Sequence, residues 1–133
     1  ENNQNNIGSG LIGLLANPMP IKEFLNHIKS SMGLTYIRHT KIIVENIKKV
    51  AVCGGSGGFL LNDACALGAD IFISADFKYH DFFEADGRIT ILDIGHYESE
   101  VFTKQLVCDF LNEKFTNIAF HLSKVNTNPI NYF

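Results

Sequence analysis

The chain has 133 residues, enough for one domain that buries roughly two-thirds of its unfolded surface, and 46% apolar with 19% charged residues is a globular composition. Eleven Lys and Arg against fourteen Asp and Glu leave a net charge of −3, so the basic field that drives sequence-independent nucleic-acid binding is absent and nucleic acid is disfavoured as a partner. No apolar run approaches the about 20 residues of a membrane span and no signal peptide opens the sequence, so a cytoplasmic location is expected.

The chain starts with ENNQNN, polar filler without an initiator Met; residues 1–6 are expected to be a leader or linker remnant, and residues 7–133 a single α/β domain cut from something longer. IGSGLIGLL (7–15) reads as a strand. Ile21, Phe24, Leu25, Ile28 and Met32 then recur at helical spacing, with Pro18 and Pro20 suited to the helix entrance and Gly33 to its exit. Strands are expected at LTYIRHT (34–40) and IKKVAVC (47–53), with an ambiguous piece around Ile42 to Val44 between them. CGGSGG breaks the chain before a short helix in FLLNDACALG, and ADIFISAD (69–76) is a continuous apolar run bounded by acids. A brief helix in KYHDFFEADG, a buried strand RITILDI (88–94), a long helix over 98–115 and an alternating strand IAFHLS (118–123) complete the order. Strand and helix alternate from residue 47 onward, which predicts an α/β fold with a mostly parallel or mixed sheet and helices on its faces. Eleven Phe without Trp suggest a core dominated by phenyl rings. Cys53, Cys65 and Cys108 form no CxxC and are odd in number, which fits a reducing compartment and small core residues better than a disulfide framework.

Ligands of open α/β sheets gather beyond the carboxyl ends of the strands, and three groups fall there. In Gly54-Gly55-Ser56-Gly57-Gly58, backbone N–H groups before a helix could hold an anion, with Gly55, Ser56 and Gly57 central. The pattern matches neither GxGxxG nor a Walker sequence, and a tight turn that needs positive φ explains the glycines equally well. Next come Asp76, Lys78, Tyr79 and His80, followed by Glu84. His80 stands past a strand end, where a packing role would not require it, and is a candidate catalytic group together with Asp76; Glu84 reads as a solvated helix residue. In DIGHYESE (93–100), His96 and Glu100 share a helical side if the helix begins near His96, a spacing that can hold a divalent ion. Carboxylates complementing a helix N-terminus are the alternative, and Asp93 belongs either to this site or to a sheet margin. His27, His39 and His121 read as solvated or satisfied side chains.

The stretch KVAVCGGSGGFLLNDACALGADIFISADFKYHDFFEADGRITILDIGHYESE, with GSGLIGLL before it and NTNPI after it, resembles the dinuclear metal centre proteins, the YbgI and YqfO-like group also labelled GTP cyclohydrolase 1 type 2 homologues. The resemblance implies that the GH-x-x-S-E element gives His96 and Glu100 to a two-metal site in a two-lobed protein, and that this chain is its C-terminal lobe. No His-His pair of the kind expected from the other lobe is present. The expected function is therefore that of one lobe of a dinuclear metal-dependent hydrolase acting on a nucleotide or phosphate-ester type substrate. Two divalent ions, whether Zn, Mn, Fe or Mg, are its implied cofactors in the full-length protein. The fragment alone is expected to be inactive and to bind metal weakly or not at all. The implied partners are the N-terminal lobe of the same polypeptide, further copies in a homo-hexamer, and a small-molecule substrate. A metal-free nucleotide-binding or oligomeric scaffold module is the competing reading.

Overall fold

The computed structural model describes residues 8–132; the polar leader expected at residues 1–6 lies outside the described residues. The chain forms two compact units, the first ending at Ser99 and the second beginning at Glu100. The first unit is built on a five-stranded sheet of β1 (Leu11–Pro20), β2 (Arg38–His39), β3 (Asn46–Ser56), β4 (Ile71–Ala75) and β5 (Thr90–Asp93), in the order β1-β3-β4-β5-β2. The three central strands are parallel and both edge strands run antiparallel to them, so the sheet is mixed, as expected from the sequence.

Side-chain alternation along the central strands builds a core on each face. On one face, Ile71 and Ile73 of β4, Leu92 of β5 and Ile47 of β3 pack with Ile21 and Phe24 of α1 (Ile21–Ser31). On the other, Phe72, Ile91 and Ala51 pack with Leu61 and Ala64 of α2 (Leu61–Ala66), a helix introduced by a single 3-10 turn at Gly58–Leu60. Continuous apolar runs such as IFIS and ITIL are what a parallel strand covered on both faces requires. Each fully buried Ile, Leu or Phe stabilises the fold by about 1.5–3 kcal/mol. The core is less aromatic than the composition suggests: Phe24, Phe72 and Phe77 are buried, Phe59, Phe83, Phe102, Phe110 and Phe115 are exposed, and isoleucine dominates the interior.

Several elements depart from the sequence reading for local reasons. β1 starts at Leu11 and runs through Pro18 and Pro20, which an edge strand tolerates because one row of its N–H groups bonds to no neighbouring strand. The strand expected over 34–40 shrinks to Arg38–His39, because the Thr40 hydroxyl, in place of a backbone carbonyl, accepts the Ile91 N–H at 3.0 Å. β3 continues through Gly54 and Gly55 with a register shift, so the glycine segment is a distorted strand end rather than a break. The long helix expected over 98–115 is two helices, α3 (His96–Glu100) and α4 (Thr103–Lys114), separated at Val101 and Phe102. The strand expected over 118–123 does not form. Phe120 instead packs its ring 6.2 Å from that of Phe115, and its carbonyl accepts the Cys108 thiol at 3.9 Å. Cys53, Cys65 and Cys108 are free thiols. No described helix is long and apolar enough to cross a membrane.

Two features fix the carboxyl ends of the parallel strands. Asp93, 5% exposed at the end of β5, accepts the N–H groups of Phe77 and Gly95, each at 3.1 Å, and pairs with Arg38 of β2. Arg38 also donates to the Phe77 carbonyl at 2.6 Å, so one ion pair ties an edge strand to the loop after β4. Asp93 is thus part of the sheet margin. The second feature is close packing at Gly57, where an added Cβ would collide with the Ser74 hydroxyl and lie 2.6 Å from Cys53 Cβ.

Both features yield expected outcomes. Asp93→Ala leaves the buried Phe77 N–H, the partly buried Gly95 N–H and a half-exposed guanidinium without their acceptor, and urea denaturation should show a loss of about 2–4 kcal/mol, discounted for the solvent around Arg38. A loss below about 0.5 kcal/mol would mean that Asp93 is only a surface charge. Gly57→Ala should lower stability by about 1–3 kcal/mol because β4 and the distorted end of β3 must move apart; Gly13→Ala, where nothing lies within 4 Å of the added Cβ, is the control.

Candidate functional site at the carboxyl ends of the parallel strands

Parallel pairing of β3, β4 and β5 brings Ser56, Ala75 and Asp93 to the same end of the sheet. The residues that follow these strand ends form the candidate site. After β4 the chain turns at Asp76, which adopts φ +60°, a left-handed conformation that is uncommon for a residue other than glycine. After β5 it turns at Gly95 with φ +90°, where a side chain would be both strained and in collision with the Glu98 carboxylate. This second turn starts α3 on His96.

The two turns bring together residues twenty positions apart. His96 Nδ1 lies 2.6 Å from Asp76 Oδ2, and the two side chains are 48% and 47% exposed, open enough to be reached from solvent. With Nδ1–H donated to the carboxylate, the imidazole is held in the tautomer that carries its lone pair on Nε2. Glu100 ends the same five-residue helix, four positions on from His96. Among the described residues no three of His, Cys, Asp and Glu gather where they could hold a metal ion. An imidazole with a carboxylate partner is the donor chemistry of a zinc-type centre, and the chain fits a divalent ion as the source of part of a ligand set.

Beside Asp76 lies a cleft of about 370 Å³, lined by Ser56 and Phe59 on one side and by Asp76, Lys78, Asp81 and Glu84 on the other. Three carboxylates against one ammonium make it acidic. The Lys78 N–H donates to Asp81 Oδ2 at 2.7 Å, which starts the 3-10 turn Asp81–Ala85 and sets this wall. His80 is directed elsewhere: it is exposed and its ring packs against Tyr79 at 5.3 Å and Phe83 at 6.5 Å. Tyr79 and Phe83 face a separate, larger groove of about 620 Å³ beside β2, which shares no lining residue with the cleft. Of the other histidines, His39 on β2 has Nδ1 2.7 Å from the Thr40 carbonyl, and His27 and His121 are exposed.

In the glycine segment two N–H groups are turned inward. Gly55 N–H donates to Ser99 Oγ at 2.8 Å and Gly57 N–H to Ser74 Oγ at 2.9 Å, while Ser56 is exposed and faces the cleft. Ser74 is fully buried and its hydroxyl donates to the Gly55 carbonyl at 3.0 Å. The sequence reading gave no role to either serine. A polar residue inside the apolar run IFISA was the available signal for Ser74, since a buried hydroxyl must find partners.

A family described as Duf34/NIF3 (NGG1p interacting factor 3) matches residues 2–129. The crystal structure of a Bacillus cereus protein related to NIF3 superposes with a TM-score of 0.85 at 33% identity, covering 95% of this chain and 36% of that one. The crystal structure of a Staphylococcus aureus protein gives a TM-score of 0.79 at 31% identity, covering 93% of this chain and 37% of that one. A Staphylococcus epidermidis protein named GTP cyclohydrolase 1 type 2 homolog is 34% identical over an alignment of 135 positions that covers 98% of this chain and 37% of that protein. The chain thus spans little more than a third of the length of the relatives it matches, and with the family match running over nearly all of it, it belongs to the Duf34/NIF3 family.

Proposed function

We propose that the chain is one lobe of a metal-dependent hydrolase and contributes His96 and Glu100 to a dinuclear centre, with Asp76 orienting the imidazole. The observation that carries this reading is the Asp76–His96 pair at the carboxyl rim of the parallel strands, formed by two residues in unusual local surroundings: a left-handed aspartate and an imidazole directly after a glycine with φ +90°. A carboxylate on Nδ1 directs the Nε2 lone pair outward and raises the basicity of the imidazole as a ligand. Glu100 adds a second oxygen donor from the same short helix. The remaining ligands come from the other part of the longer polypeptide, and the whole protein assembles as a homo-oligomer, a hexamer by resemblance. Divalent ions in such a centre supply Lewis-acid activation of water and neutralisation of developing negative charge.

The acidic cleft bears on the substrate. With Asp76, Asp81 and Glu84 on its walls, a nucleotide or phosphate ester would be repelled unless its charge were met by cations, so substrate binding and metal loading are coupled. Ser56 and Lys78 are the uncharged hydroxyl and the single ammonium available there to orient a polar group. The name carried by the Staphylococcus epidermidis relative is compatible with a purine nucleotide in this role. A metal-free anion cradle at the glycine segment is the weaker alternative, because the N–H groups of Gly55 and Gly57 already serve serine hydroxyls.

In the intact polypeptide, His96→Ala combined with Glu100→Ala should abolish stoichiometric divalent metal, and Asp76→Asn should weaken metal affinity by about 10–100-fold with unchanged oligomeric state. Elemental analysis together with size-exclusion chromatography reads both. Full metal content in the double variant would overturn the proposal.

A further inference from the structure

Hydroxyl groups connect the glycine segment to α3 in an unbroken series. Gly57 N–H donates to Ser74 Oγ (2.9 Å), Ser74 Oγ to the Gly55 carbonyl (3.0 Å), Gly55 N–H to Ser99 Oγ (2.8 Å), and Ser99 Oγ to the His96 carbonyl (2.8 Å). The bonds meet at Gly55, whose carbonyl accepts from Ser74 and whose N–H donates to Ser99. The two ends of the series matter for His96. The backbone of His96 is bound through Ser99 and Gly55 to Ser74 of β4, and its ring is bound directly to Asp76, two residues further along the same chain segment. One strand end thus holds both the carbonyl and the imidazole of a single residue.

We propose that Ser99 is a positioning residue that acts through His96: its hydroxyl couples the glycine segment to α3 and sets where the imidazole stands relative to Asp76. A hydroxyl is suited to this place because it accepts from one backbone group and donates to another at once. Alanine can do neither. Without Ser99 the first turn of α3 loses one of its links to the sheet, and a five-residue helix has little intrinsic stability with which to keep its orientation. The glycines then have a structural purpose of their own. Gly55 reaches Ser99 with φ +63°, and Gly57 allows Ser74 to approach without a Cβ in the way.

The inference rests on His96 being the functional imidazole, but its test needs no metal. Ser99→Ala, Ser99→Thr and a matched control, Ser30→Ala, are compared in the full chain. Ser30 Oγ donates to the His27 carbonyl at 3.0 Å, the same local bond three residues back on α1, remote from the site. The readout is the pair of imidazole ¹⁵N resonances of His96 at fixed pH, assigned by their loss in His96→Ala. Ser99→Ala should shift or broaden these resonances, Ser99→Thr should restore them, and Ser30→Ala should leave them in place. In the intact polypeptide the same Ser99→Ala change should lower zinc affinity by about tenfold. Should Ser99→Ala fail to fold, Ser99→Cys preserves the volume while weakening both hydrogen bonds and carries the same comparison. Unmoved His96 resonances in Ser99→Ala or Ser99→Cys, or failure of threonine to restore them, would overturn the proposal. Moved resonances in a protein whose intact form takes up no metal would sustain it and remove the metal reading instead.

Discussion

Burial of β4 on both faces and along both edges is the constraint from which the site follows. All five of its residues are buried, with Ile71 and Ile73 on one side, Phe72 and Ser74 on the other, and parallel neighbours β3 and β5 supplying the hydrogen bonds. A strand enclosed in this way cannot slip by one residue without turning Ser74 toward the α1 face and an isoleucine toward the glycine segment. Its register is therefore among the most firmly set features of the fold. What lies immediately after it inherits that precision, and Asp76 is the first residue beyond the strand.

The same constraint explains the polar groups inside an otherwise apolar layer. Ser74 would cost stability as an unpaired hydroxyl, but with Gly55 and Gly57 closing over it both its donor and its acceptor functions are used. Asp93 plays the corresponding part on β5, where its oxygens gather two backbone N–H groups and the Arg38 guanidinium. These two residues stand at the ends of adjacent parallel strands, and between them they fix the start of the Asp76 loop and the start of α3. The exposed pair Asp76–His96 is thus carried on a buried polar foundation, which is how an open site keeps its geometry in water.

Much of this was legible in the sequence, and the parts that were not have physical reasons. IFISA and TILD were legible as covered strands because short, largely apolar and β-branched runs between turn signals suit a strand packed on both faces. The helix carrying His96 and Glu100 was legible from its start after Gly95 and the abrupt turn between strand and helix. The partnership of Asp76 with His96 was not, since it joins two strand ends whose adjacency depends on the order of strands in the sheet. Ser99 lay in plain view inside GHYESE but had no evident role until Gly55 was found opposite it. The segment 118–123 shows the reverse error: IAFHLS has the alternation of a strand, yet alternation states only which side chains could share a face, and a strand also needs a neighbour for its backbone. The fold class followed from local pattern; the site followed from contacts between distant residues.

A cleft lined by three carboxylates, one of them bonded to a histidine, is a poor environment for an anion and a good one for a cation, and this asymmetry bears on how such a lobe could work. If the chain carried a complete cationic centre, the acidic walls would be neutralised and a phosphate-bearing ligand could enter without further help. The described residues supply no such complete set, and Lys78 is the only fixed positive charge on the cleft wall. If ions are held jointly with the remainder of the polypeptide, as proposed, affinity for an anionic ligand would rise with the charge they deliver. On that proposal, a lobe that repels its ligand until the centre is assembled would be protected against unproductive binding. On this argument the negative balance of Asp76, Asp81 and Glu84 is a condition of selectivity, with Asp76 serving both as a wall of the cleft and as the carboxylate that holds His96 in place.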